Sequence, residues 1–166
     1  TWKTDNAGTS SNTSITIPTT GAGYNYDVDW DNDGTFDDIG VTGDITHDYG
    51  VGGTFTVKIR GDFPRIYFNN AGDKEKILSI ENWGTNAWTS MLGAFDGCSN
   101  LVNNATDTPD LSGVTSLTSM FKDCTNLGNG SANNWNSWDI STVSSLTQTF
   151  FGASSFNKNI GNWDVS

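Results

Sequence analysis

The chain has 166 residues, and its 8 basic against 19 acidic side chains give a formal net charge of -11 with no basic stripe in either half. That balance argues against nucleic acid and anionic membrane surfaces as partners. No run approaches the about 18 apolar residues that a membrane span needs, so membrane insertion is not expected either.

Few Lys and Arg, many Gly, Ser, Thr and Asn, and almost no helix-forming runs are typical of secreted β-rich proteins. The expected location is therefore extracellular. Thr1-Trp2-Lys3 has neither an initiator Met nor a signal-peptide pattern, as in a mature or excised fragment. The length allows one ordinary domain or two small ones. Texture favours two: alternation and turn clusters over residues 1–70, then an internal repeat over 71–166.

In chain order, Ser14-Ile-Thr-Ile17 alternates with period two and stops at Pro18, which predicts a strand. Tyr24 to Trp30, Thr54 to Ile59 and Arg65 to Phe68 predict three more, each bounded by Gly, Asn or Asp. Several short strands with polar loops point to a β-sandwich.

Asp27, Asp29, Asp31, Asp33, Asp37 and Asp38 crowd into a dozen residues, and like charges so close repel. Asp29-x-Asp31-x-Asp33-Gly34 matches the opening of an EF-hand-type loop, whose alternating oxygens wrap one calcium while Gly permits the sharp turn. The twelfth position holds Gly40 instead of Glu, so Asp37 or Asp38 would have to close the coordination. The candidate calcium ligands are thus Asp29, Asp31, Asp33, Asp37 and Asp38. A solvated acidic turn is the alternative, since Asp-Asn-Asp-Gly is itself a good turn sequence.

Val28-Asp-Trp-Asp-Asn-Asp-Gly34, His47-Asp-Tyr49 and Gly53-Thr-Phe-Thr-Val57 together resemble polycystic-kidney-disease (PKD) type domains. The resemblance covers Tyr24 to Ile59 and departs at the Asp31 to Gly34 turn. It implies an immunoglobulin-like fold serving as an extracellular spacer or binding module. In such a module His47 would hydrogen-bond near the sheet edge and fix the turn before Gly53. No nucleophile or base partner suggests catalysis there.

Arg65 to Phe68, the turn Asn69 to Asp73 and Lys76 to Ile80 read as a hairpin that caps the following array. With no Pro- or Ser-rich linker, the two regions are expected to be rigidly joined.

Phe95-Asp-Gly-Cys98-Ser-Asn-Leu101 returns as Phe121-Lys-Asp-Cys124-Thr-Asn-Leu127 and as Phe150-Phe-Gly-Ala153-Ser-Ser-Phe156, a period of 26 to 29 residues. That period is in the range of leucine-rich-type solenoids, and stacked arrays present surfaces. Val114-Thr-Ser-Leu117 and Val143-Ser-Ser-Leu146 supply inward residues, and the segment after each could form one helical turn. Asn100 and Asn126 would satisfy backbone groups between coils. Cys98 and Cys124 hold equivalent positions, and stacked coils lie about 5 Å apart. They could bridge, or be small buried hydrophobes like Ala153.

Met120-Phe121, Gly97-Cys98, Gly152-Ala153, Phe156-Asn157 and Ile160-Gly-Asn-Trp-Asp-Val-Ser166 together resemble the BspA-like leucine-rich repeat surface proteins of bacteria. The likeness spans Trp83 to Ser166, with Thr149 in place of Met and an extra Gly128 to Asn134 expected in an edge loop. It implies adhesion or binding at a bacterial surface, with no catalytic residues to carry over. Trp138 and Trp163 precede equivalent phrases and read as a packing ladder, whereas Trp135, beside the inserted loop, is the candidate for stacking on a sugar.

The sequence thus points to a mainly β chain, an immunoglobulin-like β-sandwich followed by a short leucine-rich-repeat-type solenoid. Its expected role is a non-enzymatic surface module for adhesion or protein contacts. A self-assembling subunit of a fibre or layer and a carbohydrate-binding accessory module are the alternatives. Its partners would be a protein or glycan at a cell surface, or other copies of itself.

Overall fold

Period-two alternation does set the N-terminal strands. In the computed structural model, which describes residues 1–165, Trp2–Lys3 (β1) is followed by Ser14–Ile17 (β2), where Ile15 and Ile17 are fully buried while Thr16 lies outside. Ser166, which closes the last Asp-Val-Ser phrase, lies outside the described residues. Asn25–Asp29 (β3) buries Tyr26 and Val28 on one face, and is followed by Asp38–Val41 (β4), Ile45–Asp48 (β5), Thr54–Phe55 (β6) and Lys58–Asp62 (β7). All pair antiparallel: β2 with β5 from Ser14 opposite Asp48 to Ile17 opposite Ile45, β3 between β4 and β7, and β1 with β6. The structure is mainly β, with small sheets and, among the described residues, 3-10 turns at Leu127–Asn129 and Trp135–Ser137 as its only helices.

Two expectations need correction. The run Thr54 to Ile59 is two strands, because β6 bonds to β1 whereas β7 bonds to β3, and the chain changes neighbour between them. Arg65 to Phe68 is no strand, and no hairpin follows it. Ser79–Ile80 (β8) instead pairs in parallel with Val102–Asn103 (β9), as successive turns of a coil do.

The segment around Phe68 is itself the first coil. Its amide N–H donates to the Ala94 carbonyl at 3.1 Å, just as Phe95 donates to Met120 and Phe121 to Thr149, both at 2.9 Å. The four Phe rings form a column, with centroids 6.2 Å apart from Phe68 to Phe95, 5.5 Å from Phe95 to Phe121 and 6.0 Å from Phe121 to Phe150. The array therefore begins inside the stretch that composition assigns to the N-terminal region.

Each coil turns through left-handed backbone at matching places. Two residues before the Phe, Gly93, Ser119 and Gln148 have φ of 60°, 54° and 56°. Two residues after it, Asn70, Gly97, Asp123 and Gly152 have φ of 60°, 80°, 58° and 73°. Side chain and glycine alternate at this second position for a steric reason. A Cβ on Gly97 would sit 2.3 Å from Asn70 Oδ1, and one on Gly152 would sit 2.1 Å from Asp123 Oδ1. The side chain of one coil fills the space that the next must leave empty.

β1 is the seam between the two regions. One edge pairs with β6, and on the other the Lys3 N–H donates to the Lys76 carbonyl while the Leu78 N–H donates to that of Thr1. Beside the seam, Asp73 and Lys76 are buried in the repeat region and grip the loop before β2. The Asp73 carboxylate accepts from the backbone N–H groups of Thr9, Ser10 and Thr16 and from the Ser10 hydroxyl. The Lys76 ammonium donates to the carbonyls of Ser10, Ser11 and Ser14 and to the Ser10 hydroxyl. Burial alone would raise the Asp73 pKa, but the Ser10 and Thr16 donors and the Lys76 charge hold it below the ordinary carboxylate value.

Candidate functional site

The acidic loop joins β3 to β4, so its ends are fixed by two hydrogen-bonded strands while its tip is free to turn at Asn32 and Gly34, both with positive φ. Three of the five candidate ligands converge. Asp29, Asp31 and Asp37 each offer a carboxylate oxygen, and these oxygens all lie within 4.8 Å of one another. Asp29 is wholly buried at the end of β3; its Oδ2 accepts from the Gly34 N–H at 3.0 Å, whereas its buried Oδ1 has no hydrogen-bond partner. Asp31 and Asp37 are exposed, and Asp37 Oδ2 also accepts from the Trp30 N–H.

Asp33 and Asp38 stand outside this group. Asp33 Oδ1 accepts from the Thr35 N–H at 2.7 Å in a local turn, and Asp38, the first residue of β4, accepts from the Trp30 indole at 2.7 Å. The even spacing of an EF-hand loop presumes one continuous wrap; here the return into β4 turns Asp38 to the indole.

His47 packs rather than bonds. Its ring stacks on Trp30 at 4.8 Å and meets Tyr49 edge-on at 4.5 Å, and the Tyr49 hydroxyl donates to the Trp30 carbonyl at 2.8 Å. Trp30 is thereby pinned on several sides directly behind the acidic loop.

On the array, the expectation for Trp135 is overturned. It is fully buried, between Phe121, Trp138, Phe150 and Phe156, and its carbonyl accepts from the Trp163 indole. The inserted Gly128 to Asn134 is the reason: it is clamped onto neighbouring coils instead of hanging at an edge. A Cβ on Gly128 would lie 1.9 Å from the Ser155 carbonyl oxygen, and the Ala132 N–H donates to the Asn103 carbonyl. Without an exposed Trp135, the sugar-stacking reading loses its residue. Trp138 and Trp163 do stack, 6.1 Å apart, and Trp83 meets Trp138 edge-on.

Cys98 and Cys124 are free, buried thiols, and the Cys124 Sγ–H donates to the Phe95 carbonyl. Burial pushes both pKa values up, which leaves them poor nucleophiles. Asn100 donates to the Glu75 carbonyl of the preceding coil, as expected, but the Asn126 amide oxygen instead accepts from Asn129 within its own coil.

The lateral face of the array carries a row of hydroxyls across two coils. Ser116 Oγ, Thr118 Oγ1, Ser145 Oγ and Thr147 Oγ1 follow one another at 2.9, 3.0 and 3.2 Å. At the last described coil, Leu146, Phe150, Phe151, Ile160, Trp163 and Val165 line an open apolar recess of about 550 Å³. Among the described residues no helix is long and apolar enough to cross a membrane.

Fold and surface define a mainly β chain whose larger part is an array of recurring, stacked coils. The chain belongs to the family described as "Mycoplasma protein of unknown function, DUF285", whose sequence pattern matches residues 65–166, more than half its length and from just before the Phe68 coil onward. No curated protein and no solved structure matches the chain.

Proposed function

We propose that the chain is a non-enzymatic extracellular module that makes protein contacts at a bacterial surface. Its architecture in this reading is an immunoglobulin-like β-sandwich followed by a short leucine-rich-repeat-type solenoid that begins by Phe68. The observation that carries it is the lateral face: Ser and Thr hydroxyls repeat from coil to coil on a backbone that inter-coil hydrogen bonds hold rigid. A pre-ordered face of this kind loses little entropy on docking. The likeness to PKD-type and BspA-like surface proteins, the acidic charge and the polar composition support it.

The test is binding of the purified chain to a panel of immobilised secreted glycoproteins, with deglycosylated copies in parallel. Saturable binding that survives deglycosylation and is lost in Thr118→Arg is expected. Binding that disappears with the glycans would overturn protein recognition in favour of carbohydrate, and the absence of any binding would leave self-assembly.

That second reading, a subunit of a fibre or layer, rests on the apolar recess of the last described coil, a face that a following coil of the same chain or a second copy would equally cover. A second copy stacked on this face would cover it head-to-tail, and such contacts grow filaments. Light scattering at increasing concentration decides: large regular species abolished by Phe151→Asp support it, and a monomer throughout rejects it.

A further inference from the structure

The acidic loop remains, and it is independent of the contact surface. Three carboxylates with oxygens mutually within 4.8 Å would repel, and none of the four ion pairs among the described residues reaches any of them. One of the three carboxylates, Asp29, is also fully buried and leaves Oδ1 unpartnered. Buried carboxylate oxygens are nearly always satisfied, so this one is waiting for a partner that the protein does not itself provide.

We propose that Asp29, Asp31 and Asp37 bind one calcium ion, with Asp29 as the interior anchor and Asp31 and Asp37 closing from the solvent side. The chemistry selects the ion. Every ligand is a hard carboxylate oxygen, and among the described residues neither an imidazole nor a thiolate joins the group, which argues against zinc. Coordination style selects it further: magnesium demands a near-octahedral set at about 2.0–2.1 Å and gives up its waters reluctantly, whereas calcium accepts an irregular set of carboxylates and waters. Three carboxylates with two on the surface leave room for water to complete the shell.

The ligand set differs from the one that the EF-hand spacing suggests. Asp33 is held by Thr35 and Asp38 by the Trp30 indole, so neither joins. Binding also reaches beyond the loop. Asp37 accepts the Trp30 N–H, and Trp30 is stacked on His47, so the ion would fasten the β3–β4 turn to the aromatic tier behind it.

The experiment uses the whole chain after chelator treatment, titrated with calcium by calorimetry and with terbium by indole-sensitised luminescence, for which Trp30 is the adjacent donor. One site with a Kd of about 10⁻⁴–10⁻³ M, the range of extracellular modules, is expected. Calcium should displace terbium, and an equal concentration of magnesium should not. Asp31→Asn and Asp37→Asn should each weaken binding at least about tenfold through loss of ligand charge, while Asp33→Asn changes it less than about twofold. Circular dichroism of each ion-free variant checks that it is folded, and Asp31, being exposed, is the safer substitution. No saturable signal with either ion would overturn the site, as would equal loss in Asp33→Asn and Asp31→Asn, which would return the loop to an EF-hand set.

Discussion

In the N-terminal sheets a residue answers to its own strand: Ile15 and Ile17, two apart on β2, share one buried face while Thr16 between them is only partly buried. In the array it answers to the coil beside it. Gly97 must lack a side chain because Asn70 has one, and Gly152 because Asp123 has one. Residue choice is local where a ladder sets the geometry, and relational where coils stack.

The sharpest way to break that comparison is to add one methyl group in each region. Gly128→Ala places a Cβ 1.9 Å from a backbone oxygen of the next coil, which only a backbone shift can relieve. We expect a loss of about 3–5 kcal/mol in urea unfolding. Gly43→Ala, in the loop between β4 and β5, meets nothing within 4 Å and should change stability by less than about 0.5 kcal/mol. Equal effects would end the distinction.

The seam comes next. Lys76→Met strips an ammonium from the carbonyls of Ser10, Ser11 and Ser14 and leaves Asp73 buried without its counter-charge. A loss of about 3 kcal/mol is expected. Calorimetry should then resolve two transitions where the parent chain gives one, because the regions part before either unfolds.

A smaller effect tests the relation between coils directly. Gly97→Ala should cost about 1–3 kcal/mol through overlap with Asn70 and its φ of 80°. Adding Asn70→Gly removes the overlap with Asn70 and leaves the strained backbone and a 2.9 Å approach to the flexible Lys74 side chain, so the double variant should recover part of the loss, with a coupling of at least about 0.5 kcal/mol. Strict additivity would show that the coils do not sense each other here.

The smallest effect is in pH. Asp73 has a depressed pKa in the folded chain, so its ionised form favours folding. That contribution is complete above the unfolded value of about 3.9 and is lost as pH falls through the lower folded value. Stability should therefore drop below about pH 4, and Asp73→Asn should flatten this acid limb, read as urea midpoints across the range.

What the sequence made legible follows the same division. β2 and most of β3 are readable because period-two burial is a property of one segment. The Phe68 coil is not, although Phe68-Asn-Asn-Ala71 keeps the spacing of Phe95 to Cys98, because Lys74 stands where the later copies have the apolar Leu101, Leu127 and Phe156. Asp73 and Lys76 look like surface charges until the loop before β2 wraps them. Trp135 is misread for a related reason: extra Gly-rich residues suggest a free loop, yet Gly128 is there because another backbone passes within contact. In the acidic loop the cluster is plain from composition, but which carboxylates meet depends on where β4 starts, and that is set by pairing with β3.

The alternation of Asn70, Gly97, Asp123 and Gly152 also bears on how such an array could change length. Removing the Gly97 coil would set Asn70 directly against Asp123, with two side chains competing for one space. Removing the Asp123 coil would instead set Gly97 against Gly152 and leave that space empty, and removing both coils would bring Asn70 onto Gly152 and restore the fit. At this position a deletion or duplication that brings two side chains together would have to be accompanied by a substitution to glycine, whereas the loss or gain of a pair of coils would not.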